Sequence, residues 1–296
     1  MDIINQIPEF YNWFRDWVGA LPGGEYYKRI IVATTFGFFC LCVIGSLEKL
    51  HGINLSFYRS RNFLHDVGYW FYYRLGLANR ILLGPFLYVV GSSLDTFKLD
   101  LLTGMHFVPQ IILLLLIGDF FGYWIHRMQH AVPLLWAFHT THHSQRDLNF
   151  ASTTRFHPIE HFIQNVLMVI PLLILGADVK TVVVYYYAME FNAALQHSRL
   201  PWRYGPLYYV VSSPAFHNFH HSRDAAHRDK NFAGFFTFYD FLFGTAVDEK
   251  KPPEKLGLED VNPQSFLQTL YLPFLIIARQ FKPRKNPVTI ETQIIK

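Results

Sequence analysis

The chain has 296 residues, of which 51% are hydrophobic, 18% aromatic and only 16% charged. Such a chain has ample apolar surface to offset its ordering entropy, which excludes intrinsic disorder. The net charge of +4 comes from scattered Lys and Arg, which argues against a nucleic-acid partner and suits a basic rim facing anionic lipid headgroups.

Taken from the N-terminus, the chain has an acidic residue at position 2 and no basic segment leading into an apolar core. No cleavable signal peptide is expected. Ile7–Trp17 is amphipathic and is expected to lie along a membrane surface. Five apolar stretches follow: Ile30–Leu47, Ile81–Leu94, Val108–Ile125, Phe162–Leu175 and Thr181–Leu195. A bilayer core takes roughly 20 apolar residues per helix, and Trp- and Tyr-rich flanks extend the shorter runs into the interface. Cys40 and Cys42 sit inside the first run, so they read as small buried hydrophobes and not as a disulfide or thiolate site.

The expectation is an all-α membrane bundle of about four to five spanning helices with a cytosolic, histidine-rich helical cap. Residues 81–125 and 162–195 read as helical hairpins, turning near Asp100–His106 and Gly176–Lys180. Pro85 and Pro171 are tolerable there because neighbouring groups can satisfy the carbonyls they free. The expected organisation is an interfacial segment at 1–29, one membrane-embedded domain at 30–248, and a tail with an amphipathic segment at 249–296. A soluble core of buried helices is the weaker reading.

Charge placement suggests an orientation. Lys49, Arg59, Arg61, Arg74 and Arg80 lie between the first two runs; Arg127, Arg146 and Arg155 follow the third. Arg199, Arg203, Arg223, Arg228 and Lys230 follow the fifth, whereas the hairpin tips carry only Lys98 and Lys180. By the positive-inside rule the histidine-bearing segments and the C-terminal tail face the cytosol.

Twelve of the 15 histidines fall between positions 126 and 227, and they are grouped. HRMQH puts His126 and His130 one helical turn apart, on one face. HTTHH supplies His139, His142 and His143, and HNFHH repeats that spacing with His217, His220 and His221. HPIEH adds His157 and His161, and LQHS adds His197. The expected topology returns all these segments to one membrane face. Imidazole suits Zn, Fe, Cu and Ni, and the absence of thiolates argues against an Fe–S or cysteine–zinc site. Eight to ten candidate ligands exceed the four of a structural zinc site and imply two metals with open positions.

Individual histidines differ in promise. His161 and His227 read as neighbours of the ligands or as interfacial residues, and His51, His65 and His106 as unrelated. Asp119 lies seven residues before His126 on the same face, where an acid inside an apolar run is a functional candidate. It could orient a ligand imidazole or pair with an arginine. Glu160, Asn218 and Asp240 are weaker candidates for such support, and Arg155 reads as the partner of a carboxylate or lipid phosphate. No catalytic residue beyond the ligands is indicated. Tyr185, Tyr186, Tyr187, Phe191, Tyr208 and Tyr209 could wall a lipid tunnel, although packing and interfacial anchoring explain most of them.

From GDFFGYWIHRMQH through PLLWAFHTTHHS and TTRFHPIEH to PAFHNFHHS and NFAGFFTFYDFLFGT, the chain resembles the fatty acid hydroxylase/sterol desaturase superfamily of membrane enzymes. The resemblance runs from about Gly118 to Thr245 and looks closest to the sterol-desaturase-like and alkylglycerol monooxygenase-like branches. It implies two iron ions (Fe2+/Fe3+), dioxygen as co-substrate and electrons from an external donor. Carried over by position, the ligands are His126, His130, His139, His142, His143, His197, His217, His220 and His221, with His157 as a tenth candidate. Where some relatives have a paired histidine motif, this chain has only His197, with Ala193 four residues before it. No cytochrome b5-like domain is seen, so a separate protein or a reduced pterin is the expected donor.

The implied activity is oxygen-dependent hydroxylation of a fatty acyl, sterol or other lipid. Desaturation or ether-lipid monooxygenation on the same scaffold is the nearer alternative. A metal transporter or other non-redox metal protein is more distant, because transport would place polar ligands at mid-membrane, and these histidines lie at or beyond the span ends.

Overall fold

A computed structural model of the chain describes residues 24–76, 85–86, 95–261, 263 and 265–280. The expected segments Ile7–Trp17 and Ile81–Leu94 (save 85–86), and the tail after 280, lie outside them. Helices α1 (Gly24–Leu50), α2 (Arg61–Arg74), α3 (Phe107–Ala131), α4 (Pro133–His143), α5 (Pro158–Ile174), α6 (Val179–Gln196), α7 (Pro214–His220), α8 (Phe238–Leu242) and α9 (Phe266–Gln280) carry the fold. No strand occurs among the described residues; one isolated bridge joins Ser222 and Leu256.

Local chemistry sets the boundaries. Ser60 caps α2 by accepting from Phe63 N, and Ser213 caps α7 by accepting from Phe216 N. Pro133 sits at the first turn of α4, where its missing N–H costs nothing, and so separates α4 from the end of α3. Asn149 and Ser152 form a reciprocal capping box that opens a short 3₁₀ turn at Phe150–Thr154.

Among the described residues two helices are long and apolar enough to cross a bilayer: Ile30–Leu50 within α1 and Phe107–Ala131, which is α3. Both turn large apolar side chains outward: Ile31, Val32, Phe38 and Phe39 on α1, and Phe107, Val108, Ile112 and Phe120 on α3. A soluble chain rarely leaves so much contiguous apolar surface uncovered. α5 is apolar but shorter.

Over the expected hairpin 162–195 the chain forms α5 and α6, joined through Gly176 with φ +70°, and both helices pack on α3. The loop before α3 seals this turn: Leu99 N donates to Ile174 O, and Leu102 N to Leu175 O. A Cβ at Gly176 would meet Asp100 Cα at 2.9 Å, so this close approach requires glycine. The opposite end of the bundle therefore gathers the C-termini of α3 and α6 and the N-terminus of α5. α4 folds back against α3 at that end, α7 against α6, and α9 lies along α4.

Two arginines of the charge pattern are not surface cations. Arg74 is buried against Glu190 of α6, and Arg155 donates to Asp66 of α2 at 3.0 Å. Arg155 also donates to Gln145 and Ser144, directly after α4, and Asn149 Nδ2 donates to Asp66. This network fixes the segment that follows HTTHH against α2.

Candidate metal centre

Nine of the ten candidate ligands come together in two adjoining groups. One holds His126, His130, His139, His143 and His220; the other holds His142, His197, His217 and His221. Within each group one nitrogen per ring lies within 4.8 Å of the others. The i, i+4 pair on α3 faces the i, i+3, i+4 triplet on α4. The C-terminal end of α7 supplies three more imidazoles, and His197 caps the C-terminus of α6. His139 and His142 differ by three residues yet enter different groups, so α4 bridges the two sites. Ring centroids of His143 and His221, one from each group, are 4.7 Å apart.

Hydrogen bonds at Nδ1 fix the tautomers. His126 Nδ1 donates to Phe232 O at 2.9 Å, His220 Nδ1 to Lys230 O at 2.8 Å, and His197 Nδ1 to Ala193 O at 2.9 Å. A carbonyl only accepts, so in these rings the proton is on Nδ1 and Nε2 is a bare lone pair. His139 Nδ1 donates to Glu160 Oε1, an oxygen that also accepts from Gln129 Nε2 at 3.1 Å; His130 Nδ1 donates to Asp229 Oδ1 at 3.1 Å.

The bare nitrogens then face each other. His126 Nε2 and His139 Nε2 are 3.2 Å apart with no proton between them. In the second group His217 Nε2 lies 3.1 Å from both His197 Nε2 and His221 Nε2, and a single proton cannot serve both contacts. His220 Nε2 is buried without a hydrogen-bond partner. Lone pairs held this close without protons fit a shared cation: nitrogens about 2.1 Å from one ion and roughly 90–110° apart lie about 3.0–3.4 Å from each other. The residues therefore fit two adjacent metal ions, with five and four imidazoles.

Burial keeps these rings in the neutral form that ligates. It pushes His139 down to about 3 and His197 to about 4, and it carries His142, His143, His217, His220 and His221 well below 6.5. Neighbouring histidines add to the shift in the last five, because a second positive charge in the cluster is disfavoured.

His157 lies apart from both groups, and both its ring nitrogens are engaged. Nδ1 accepts from Ile159 N as the N-cap of α5, and Nε2 donates to Leu270 O of α9 at 3.1 Å. At the position of the missing paired motif, Ala193 contributes its carbonyl to orient His197, so the second group has four imidazoles and not five.

The supporting residues divide similarly. Glu160 reaches His139 directly. Asp119 does not: its carboxylate accepts from Phe235 N and Phe236 N, and Asp240 accepts from Phe232 N and Ala233 N. Together the two aspartates hold the segment whose Phe232 carbonyl orients His126. Gly234 O, in that same segment, accepts from Asn192 and Gln196 of α6. Asn218 is half-buried, and among the described residues no hydrogen bond ties it to the histidines. His161 stacks on Tyr73, His227 bonds Ser222 and Glu249, and His51 bonds Trp202.

Gln129, Asp229 and the carbonyls of Lys230 and Phe232 escape the sequence reading. Gln129 carries a usable signal, being an amide next to His130 in a helix that leaves an apolar span. Asp229 and the carbonyls do not, since they depend on left-handed backbone at Asp229 (φ +56°) and Asn231 (φ +57°). The aromatic residues scatter: Tyr185 packs against Gly118, Tyr187 against Phe36, and Tyr208 donates to Val247 O.

Several known proteins are similar to this chain. Residues 111–245 match the family model described as fatty acid hydroxylase. Ornithine lipid hydroxylase OlsE of Rhizobium tropici is 33% identical over 166 residues, which cover 56% of this chain and 50% of that protein. Alkylglycerol monooxygenase of Homo sapiens is 35% identical over 139 residues, 45% of this chain and 29% of that protein. Methylsterol monooxygenase 1-3 of Arabidopsis thaliana is 29% identical over 148 residues, 48% and 49% respectively. The chain thus spans half or less of the length of each of these relatives. No solved structure matches it.

Proposed function

We propose that this chain, whose residues 111–245 match the fatty acid hydroxylase family model, is a membrane-bound di-iron enzyme that hydroxylates a lipid with dioxygen. The observation that carries the reading is the pair of adjoining, buried all-imidazole groups, with ring nitrogens 3.1–3.2 Å apart in both and bare Nε2 lone pairs facing one another at His126 and His139. Five ligands would hold one ion and four the other. The smaller set leaves more of its ion's coordination positions open.

Bound there, two irons supply dioxygen reduction and the oxidising power to break an unactivated C–H bond. One oxygen atom enters the C–H bond as hydroxyl; the other leaves as water, with two electrons and two protons delivered by a donor. That donor is a separate redox protein or a reduced pterin. Desaturation of the same chain would instead remove two hydrogens.

The protein's own part is orientation and exclusion. Lys230, Phe232 and Ala193 carbonyls with Glu160 and Asp229 fix five rings by their Nδ1 protons, which pre-organises the Nε2 lone pairs. Burial excludes water from the cluster and keeps its imidazoles neutral. The histidine end of the bundle is read as cytosolic, and the chain as crossing the membrane four to five times. The outward apolar faces of α1 and α3 support membrane insertion.

Untargeted lipid mass spectrometry of cells expressing the wild type or the double variant His142→Ala/His220→Ala tests this. A lipid heavier by one oxygen only in wild-type cells is expected. A lipid lighter by two hydrogens would move the reading to desaturation. No difference in aerated, iron-replete cells supplied with a donor would refute lipid oxidation.

A further inference from the structure

After the last histidine group the chain makes an excursion that starts and ends at one place. Asn231 N donates to Thr245 O at 2.9 Å, and Val247 N donates to Asn231 Oδ1, so the two ends are pinned together. Between them, 235–243 reads FFTFYDFLF, and its one charged residue, Asp240, is buried. Contacts with α3 give the direction. Phe232 O meets His126, Phe235 N and Phe236 N meet Asp119, and Tyr239 Oη donates to Leu116 O at 2.9 Å. On the way back Phe243 lies 5.0 Å from Trp124, and Tyr123 Oη bonds Thr245 Oγ1 at 2.8 Å. The loop therefore leaves the histidine end, runs along α3 toward mid-span, and returns. From His126 to Leu116 the α3 axis advances about 15 Å.

Trp124 marks where a bilayer surface would cross α3. It is exposed, and Arg127 lies over its ring at 5.3 Å, a pairing of belt aromatic and cation that suits the headgroup layer. Asp119 lies about 8 Å deeper along the helix. The backbone at 235–236 is thus on the hydrocarbon side of that boundary. Irregular backbone is tolerated at such depth only where protein satisfies its polar groups. Here protein does so. Asp119 accepts from Phe235 N and Phe236 N, and Asp240 from Phe232 N and Ala233 N. Ser212 N donates to Phe235 O at 2.8 Å, and Thr237 N to Val210 O at 3.1 Å. A loop in water could leave these groups to solvent.

The outward side of the loop is apolar. Leu242 is 71% exposed, Phe241 beside it lies 5.2 Å from the Tyr209 ring, and Leu207 and Val210 are also exposed. Phe120, on the outward face of α3, has its ring 5.7 Å from Tyr239, so the patch continues the face that α3 turns to lipid. Its rim is charged: Tyr209 Oη donates to Asp248 at 2.9 Å, and Arg203 donates to Asp248 at 2.6 Å. Tyr209 thus has its ring on the apolar patch and its hydroxyl on the charged rim, as an interfacial tyrosine does.

We propose that 235–243, with Leu207, Tyr209 and Val210, is a re-entrant anchor seated among the acyl chains of the leaflet on the histidine side. The inference rests on the bilayer-crossing part of the reading above and not on its chemistry. The residues that lead into the anchor supply Asp229 to His130, Lys230 O to His220 and Phe232 O to His126. The anchor therefore sets the height of the five-histidine group at the membrane surface.

The test uses the metal-loaded full chain in phosphatidylcholine nanodiscs, with Cys42→Ala removing the exposed native thiol. A bimane fluorophore is attached at Leu242→Cys, with Ile112→Cys as the lipid reference on α3 and Lys250→Cys as the water reference. Dibrominated phosphatidylcholine should quench the label at 242 about as strongly as the label at 112. Iodide, an anion that hydrocarbon excludes, should quench it about tenfold less than the label at 250. Iodide quenching at 242 equal to that at 250, with 112 quenched by lipid, would overturn the anchor and leave the span of α3 standing. Iodide quenching at 112 as well would overturn the bilayer reading and the anchor with it. Protection at 242 from both quenchers would put protein on the patch, such as a second copy of this chain, and would equally overturn the anchor. Should Leu242→Cys lose its metal, a diazirine-bearing phosphatidylcholine cross-linked to the unsubstituted chain reads the same contact. Adducts within 235–243 support the anchor, and adducts on α3 alone overturn it.

Discussion

Replacing Glu160 with Ala isolates what a single supporting carboxylate does for the five-histidine group. Glu160 Oε1 accepts from His139 Nδ1 and Gln129 Nε2 inside a buried site. Removing it leaves His139 free to turn over or to move its proton to Nε2, the nitrogen that should hold the ion. Deleting a residue that orients a metal ligand costs about 10–100-fold in affinity, which corresponds to about 1.4–2.7 kcal/mol. No hydrogen bond connects Glu160 to His142, His197, His217 or His221, so the second group should keep its affinity. Purified protein titrated with a chelator and assayed by elemental mass spectrometry should therefore lose one of its two ions at about 10–100-fold lower chelator concentration in Glu160→Ala than in wild type, with the midpoint of the other unchanged. Glu160→Gln, which retains an acceptor oxygen, should fall between. Equal shifts of both midpoints in Glu160→Ala, or two unchanged midpoints, would refute the orienting role.

Three further outcomes follow from the packing and the charges. Arg155→Met strips the buried partner from Asp66 and should destabilise the chain by about 3–5 kcal/mol in detergent unfolding, with Arg155→Met/Asp66→Leu recovering much of the loss; a cost within 1 kcal/mol, on that scale a mere surface pair, would contradict the burial. Gly118→Ala places a Cβ 2.3 Å from Tyr185 Oη and should cost about 1–3 kcal/mol, with partial rescue by Tyr185→Phe. Metal-free protein should hold its melting temperature above about pH 6.5 and lose it steadily below. His139 and His197 stay neutral in the folded chain down to about 3 and 4, whereas the unfolded chain takes up protons from about 6.5. A melting temperature unchanged from pH 7 to pH 4.5 would show that the cluster is not desolvated.

Periodicity made the histidine-bearing helices legible. An i, i+4 pair and two i, i+3, i+4 triplets can only present their rings together if the segment is helical, and α3, α4 and α7 carry them so. The apolar runs likewise marked α1, α3, α5 and α6, because burial in lipid or in a bundle needs continuous apolar length. His157 shows the limit. HPIEH looks like a ligand motif, yet a histidine before a proline at a helix start is also a good N-cap, and the choice depends on where Leu270 of α9 arrives.

Sequence by itself therefore determined a helical, lipid-facing chain with its imidazoles collected on a few helical turns, since those properties are local and set by spacing and hydropathy. The tertiary structure alone decided how nine rings divide into five and four, which Nδ1 proton meets which oxygen, and that Arg74 meets Glu190. Those outcomes join residues up to 116 positions apart. They depend on where α4 folds back on α3 and on two left-handed residues in the 229–236 segment, neither of which leaves a periodic trace in the chain.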